Sequence, residues 1–421
     1  MKKPLHKSIG HGVKKVGHKV TKYLYERDTF ISTIWVFIFI IVLGSIPLNL
    51  GIMNPIKLGL KDFDFNDLYY SKVSDKTEGY DKRIVLVNIG HANRAEIAML
   101  IDKVASYQPK VMGLDALFEG PREAADDSLM RDVVHRHKNL VLAVKYQTDK
   151  QDKLVGGNNF FADSSTKTGF VNFPYDSDYE SIRYYFPFKA DDHDHDRVLP
   201  SFSSALVKEY DPAAYEKVKK KTNQKTIINY THKLTPEKAM YQVVEPEQLM
   251  MEDGFDSSAI KGRIALLAYV NTSPYDIEDK KFTPMNERPY GKTAPDMNGI
   301  VVHANIISMV LDHNYIKKVP SWGNWLIAII ICWLHMSFFI HYYLENHIWF
   351  HLAAKIAQVA SAIFFVWLGA EIYSRYGLKV DMKISLITIV MAVDVIYFYE
   401  AWAVWMHKKF HYHTVFKPHH H

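Results

Sequence analysis

Cysteine is almost absent: Cys332 is the single one in 421 residues, and it lies inside an apolar run. No intrachain disulfide can form, so a large water-soluble portion must be held by its own core, which a chain of this length can supply. Strong net charge is missing too. The formal charge of +5 carries meaning by its location along the chain and is no nucleic-acid signal. There is no nucleotide-binding loop, zinc-protease motif, nucleophile elbow or kinase signature. Histidines, serines and acids are plentiful, but none forms a catalytic spacing. The sequence therefore reads as a non-enzyme, without cofactor, resident metal or nucleic-acid partner.

What the sequence has is segregation. Hydrophobic residues make up 48% and charged residues 23%, an average that hides four long apolar runs. A spanning helix needs about 20 mostly apolar residues, and 30–48 (FISTIWVFIFIIVLGSIPL), 322–344, 348–373 and 383–406 each meet that need. The first is long and bulky with no small-x-small site after it, so an uncleaved anchor is expected in place of a signal peptide. Trp322, Trp325, Tyr342, Tyr343, Trp349, Tyr373, Tyr376 and Trp405 sit near the span ends as an aromatic belt does. Basic residues flank both tails (Lys2, Lys3, Lys7, Lys14, Lys15, Lys19, Lys22 and Arg27; Lys408, Lys409 and Lys417). The positive-inside rule then puts the tails, 1–29 and 407–421, in the cytoplasm and 49–321 outside it, periplasmic in a Gram-negative cell. Ile9, Val13, Val16, Val20 and Leu24 mark the N-terminal tail as an amphipathic helix on anionic lipid or, given Gly10, Gly12 and Gly17, a solvated tail.

The outer segment reads as α/β. A strand pattern at 83–90, a helical stripe (Ile97, Leu100, Ile101, Val104) stopped by Pro109, and a strand at 111–118 follow in order. A helix around 127–137 and a strand at 140–146 come next, an alternation that implies parallel strands with right-handed crossovers. Residues 147–262 are less regular; 263–270 restores a buried strand and 299–311 a helix. The fold class expected is a membrane protein with an extracytoplasmic α/β domain, mostly parallel sheet flanked by helices, plus four transmembrane helices.

At these residues the chain resembles the second class of CHASE domains, extracellular sensors associated with bacterial cyclases and kinases. Residues 84–89 resemble the family's opening strand, and 111–118 its "viglDilF" strand, with Asp126 and Asp127 in place of the following acid. Gly169-Phe170-Val171-Asn172 with Asp176, Asp178 and Arg183 resembles "G-x-V-N … D-x-D-G-x-x-R". Residues 200–206, 261–269, Asp279 with Thr283-Pro284, and 299–305 match further motifs in order. The first strand ends Asn88-Ile89-Gly90-His91 where the family commonly has an acid, and Tyr179-Glu180 replaces a glycine. The resemblance implies a sensory domain followed by three membrane helices. The family's usual C-terminal output module is not expected here, because the sequence ends shortly after the last span.

Asp115, near the end of a parallel strand, lies where α/β folds place ligand crevices, and Asp126, Arg183, His303 and Asn305 are the expected partners in a ligand site. The bland alternative is that Asp115 caps a helix and Arg183 pairs with an internal acid. The run 191–196 (DDHDHD) has metal-ligand chemistry in a spacing typical of a solvated loop, so no metal is expected; the terminal histidines are set aside. Within the spans, His335, Lys355, Asp394 and Glu400 are costly in lipid. Lys355 and Glu400 are expected to pair, and Asp394 to lie level with His335, as polar glue, a partner surface or an ion path.

The leading expectation is a bacterial inner-membrane sensor that binds a ligand or protein outside and acts through a separate membrane or cytoplasmic partner, with lipid contact and a homo-oligomer left open. A non-catalytic structural subunit of an envelope complex and an ion- or proton-conducting subunit are the alternatives.

Overall fold

The structure is a computed structural model. It describes residues 23–45, 70, 79–148, 154–155, 159–174, 181–190, 198–251, 255–273, 275–286, 294–345 and 349–416. The stripe from Ile9 to Val20, Asp176, Asp178, Tyr179-Glu180, the run 191–196 and the last histidines lie outside these. The chain forms two compact units, one from Asp67–Ile316 and one from Met1–Asn66 with Lys317–His421.

The first unit is built on a six-stranded parallel sheet. Its strands are β1 (Ile84–Asn88), β2 (Val111–Leu114), β3 (Leu140–Val144), β4 (Lys167–Phe170), β5 (Gln242–Val244) and β6 (Ile264–Ala268), in the order β5-β1-β6-β2-β3-β4. Every residue of β2, β3 and β6 is buried, as continuous apolar runs covered on both faces must be. The irregular middle of the sequence supplies both edge strands, β4 and β5, which are too short and too polar-flanked to announce themselves.

Alternation assigns the faces. Val85, Val87, Met112, Leu114, Leu140, Leu142, Ala265 and Leu267 pack with α2 (Arg94–Ser106), α3 (Ala124–Arg136) and Leu249 of α6 (Pro246–Met250). A capping box starts α2: the Glu96 N–H donates to Asn93 Oδ1 at 2.9 Å and the Asn93 N–H to Glu96 Oε2 at 2.7 Å. The opposite face is covered by α4 (Phe202–Tyr210), with α5 (Pro212–Lys219) and α7 (Gly299–Leu311) beside it. Close approach there requires glycine. A Cβ on Gly169 would lie 2.5 Å from Phe202 Cα, and one on Gly113 would lie 2.8 Å from Phe202 Cζ. The helices after β1, β2 and β5 take one face and the return from β4 to β5 takes the other, as crossovers of one hand require.

Among the described residues, the second unit holds four helices long and apolar enough to cross a membrane: α1 (Arg27–Ser45), α8 (Ser321–Glu345), α9 (Phe350–Tyr376) and α10 (Lys383–Phe410). They overlap the expected spans and extend beyond several of them, since helix continues past the apolar core; Gly377, at φ 57°, caps α9. Cys332, Met336, Phe339 and Ile340 of α8 pack against Ala392, Val393, Ile396 and Tyr399 of α10 and Val36 of α1. α9 is the least covered of the four.

Candidate ligand-binding crevice

The chain leaving β6 passes to α7, on the face opposite the helices that follow its neighbours β1 and β2. Connections that diverge to opposite faces open a crevice at the carboxyl ends of the strands. On the β1 side, Asn88 organises its floor. Its Nδ2 donates to Glu245 Oε2 at 2.7 Å, while its Oδ1 accepts the N–H groups of Gly90 and Val270, each at 3.0 Å. Beyond β6, Tyr269 donates its hydroxyl to Asp276 at 2.8 Å, and Asn271 also binds that carboxylate.

Two clefts adjoin here. One of about 500 Å³ is lined by Asn88, Glu245, Tyr269 and Asn271. The other, about 350 Å³, is lined by Lys233, Glu237, Lys280, Asn286 and Asp296. Leu234, Thr235, Pro236 and Thr272 line both, so the two clefts adjoin at these residues, and each is of a size suited to a small solute.

A short antiparallel ribbon, β7 (Lys280–Lys281) with β8 (Met297–Asn298), sorts the charges. Successive side chains of a strand point to opposite sides. Lys280 lines the cleft with Asp296, whereas Asp279 and Lys281 act on Asp115 and so belong to the other side. Asp296 accepts the Thr283 N–H at 2.8 Å and the Thr283 hydroxyl. Burial nevertheless pushes its carboxyl up to about 7, against those hydrogen bonds and the charge of Lys233. Burial lowers Lys280, which donates to the Ser273 carbonyl, while Asp276 and Asp296 oppose that shift. Asp115, whose N–H donates to Leu267 O at 2.9 Å, is also pushed up to about 7. Burial is the main cause, then Asp279, with Lys281 and Lys145 pulling the other way. The crevice therefore presents the ammonium groups of Lys233 and Lys280 beside one carboxyl, Asp296, that titrates near neutrality. That set suits recognition of a small polar solute.

Asp115 is the one expected site residue that shares this end of the sheet. The charges acting on it belong to Asp279, Lys281 and Lys145; Asp126 and Arg183 are not among them. The half-buried Asp126 lies in the first turn of α3. Its neighbour Asp127 makes the structural contact, binding the buried Arg94 and accepting the Arg122 N–H at 2.8 Å. Arg183 lies beside a short strand, where its carbonyl accepts the Ile228 N–H at 3.0 Å. His303 is a core residue: its Nδ1 lies 3.0 Å from Ser203 Oγ, it stacks with Phe173, and burial pushes it down to about 3. Asn305 is fully buried, with Oδ1 taking the N–H groups of Thr231 and His232 and Nδ2 donating to the His232 and Val301 carbonyls. Both residues brace α7. Lys233, Lys280 and Asp296 were missed by sequence reasoning; the signal within reach was Asp279 with Thr283, since Thr283 holds Asp296.

In the helical unit the expected Lys355–Glu400 pair is absent among the described residues. Glu400 accepts the Tyr343 hydroxyl at 2.6 Å, and Lys355 is exposed. The Nδ1–H of His335 donates to the Ile331 carbonyl at 2.8 Å, and its ring packs near Phe339 and Phe365. Asp394 is exposed on α10, and no hydrogen bond joins it to His335 among the described residues.

Comparison with known proteins gives one family: the model of the CHASE2 domain matches residues 66–339, well over half the chain. Neither curated proteins nor solved structures gave a match. With its α/β sheet and four apolar helices, the chain is a multi-pass membrane protein that belongs to the CHASE2 domain family of extracellular sensory domains.

Proposed function

We propose that this chain is a non-catalytic receptor of the bacterial inner membrane, with its CHASE2 domain periplasmic and both termini cytoplasmic. A small polar solute binds in the crevice around β6, and the bound state passes through the four helices to a separate protein partner. The orientation is supported by the basic flanks of the first and last spans. The single observation that carries the binding reading is the pair of adjoining clefts beyond the strand ends, one of them, of about 350 Å³, lined by Lys280 and Asp296.

Thermal-shift measurement on the full-length protein in nanodiscs, against amino acids, dicarboxylates and sugar phosphates, tests this. One class should stabilise the protein, and Lys280→Met or Asp296→Asn should abolish the shift. Stabilisation indifferent to both substitutions, or none across the panel, counts against the crevice. Co-purification from native membranes tests the partner: recovery without any associated chain other than a second copy contradicts that part.

A further inference from the structure

The outer face of the α9–α10 pair carries charge that the receptor reading does not use. The two helices run antiparallel in a fixed register. His351 stacks on Tyr397 with ring centroids 5.6 Å apart, and Gln358 Nε2 donates to the Ile389 and Val390 carbonyls, both at 2.8 Å. Each step forward on α9 is a step back on α10, so Lys355 falls level with Val393, next to Asp394. Lys355 lies one turn above His351 on the same side of α9, and Asp394 one turn above Tyr397 on the same side of α10. Acid and base thus flank one seam at one depth.

Both are exposed. Lys355 stands among exposed Leu352, Ile356 and Val359, and Asp394 among exposed Val390 and Phe398. This face meets hydrocarbon in a lone copy, where either charge is costly. No ion pair joins Lys355 to Asp394 among the described residues.

We propose that this face is an interface between two copies of the chain, closed by two reciprocal ion pairs, Lys355 of each copy with Asp394 of the other. Depth and sign select this occupant. Copies inserted with the same topology are related by a two-fold axis along the membrane normal, which preserves depth. A face carrying one acid and one base at a single depth is complementary to itself under that operation. α9, the least covered span, is free to supply the contact.

The test measures energy transfer between differently labelled full-length copies in lipid vesicles. The wild-type chain should self-associate, and Lys355→Asp or Asp394→Lys alone should weaken association by about tenfold. Mixing those two variants should restore it, because the heterodimer regains both pairs. Lys355→Met and Asp394→Asn, milder changes that keep the helices apolar, should each show a similar loss even if the reversals fold poorly. A monomeric wild type, or single variants that associate as well as wild type, overturns the interface. Failure of the mixture to associate while the double reversal in one chain does would place the pair within a single copy and overturn it equally.

Discussion

The side-chain oxygen of Asn88 accepts the Val270 N–H at 3.0 Å, fastening the end of β1 to the chain that leaves β6. The same amide donates to Glu245 at 2.7 Å. The family resemblance places an acid at this strand end. An aspartate would keep the acceptor, lose the donor and face Glu245 with like charge. Asn88→Asp should therefore cost roughly 1–3 kcal/mol, and adding Glu245→Gln should recover much of that. Denaturant titration of the full-length variants checks it; a double variant no better than the single one shows that Glu245 is not the source of the cost.

Asp127 and Asp126 separate by role despite adjacency. Asp127 neutralises Arg94, which is 4% exposed and also donates to the Gly120 carbonyl at 2.8 Å. Asp127→Ala leaves that guanidinium buried without its counter-charge and should cost about 3–5 kcal/mol. Asp126→Ala should stay within about 0.5 kcal/mol of wild type. Equal effects in the same titration would contradict this division.

The two glycines under α4 should respond unequally. A Cβ on Gly169 meets Phe202 backbone at 2.5 Å, whereas one on Gly113 meets the ends of the Phe202 and Leu206 side chains at 2.8–2.9 Å. Side-chain ends can move and backbone cannot without shifting the helix. Gly169→Ala should lower stability by roughly 1–3 kcal/mol, and by more than Gly113→Ala. Reversal of that order in melting experiments would mean α4 is seated differently.

The half-buried carboxyl of Asp296 gives a pH signature. Its value moves from 3.8 in the unfolded chain to about 7 in the fold. Between those values the folded chain holds more protons, so this group's contribution to stability falls as pH rises through the window. Asn cannot titrate, so Asp296→Asn should gain on wild type from about pH 4 to about pH 7 and level off above. His303, lowered from 6.5 to about 3, contributes the opposite slope. The difference between variant and wild type, measured by melting at each pH, isolates Asp296. A flat difference would show that its carboxyl is ionised throughout.

The sheet was legible because burial on both faces leaves uninterrupted apolar strings: β1, β2, β3 and β6 all stood out. β5 did not, because three residues beside polar turns carry no periodic signal, and its place at the sheet edge is decided by pairing with β1. The place of Asp115 at the end of β2 followed from the strand pattern. The burial of His303 and Asn305 did not, because α7 is covered on every side by packing that its sequence does not show. Lys280 and Asp296 come to line one cleft through a ribbon only two residues long, a proximity that sequence distance conceals. The membrane helices were legible by length, but which way Lys355, Asp394 and Glu400 face depends on packing.

Hydrogen exchange by mass spectrometry on the full-length protein in nanodiscs tests the central claim most directly, with and without whichever solute stabilises it. The account predicts added protection at 233–237, 269–273 and 294–297, the segments that line the crevice, and none of it in Asp296→Asn. Protection confined to other segments, or unchanged by that substitution, would contradict the crevice around β6 as the sensing site.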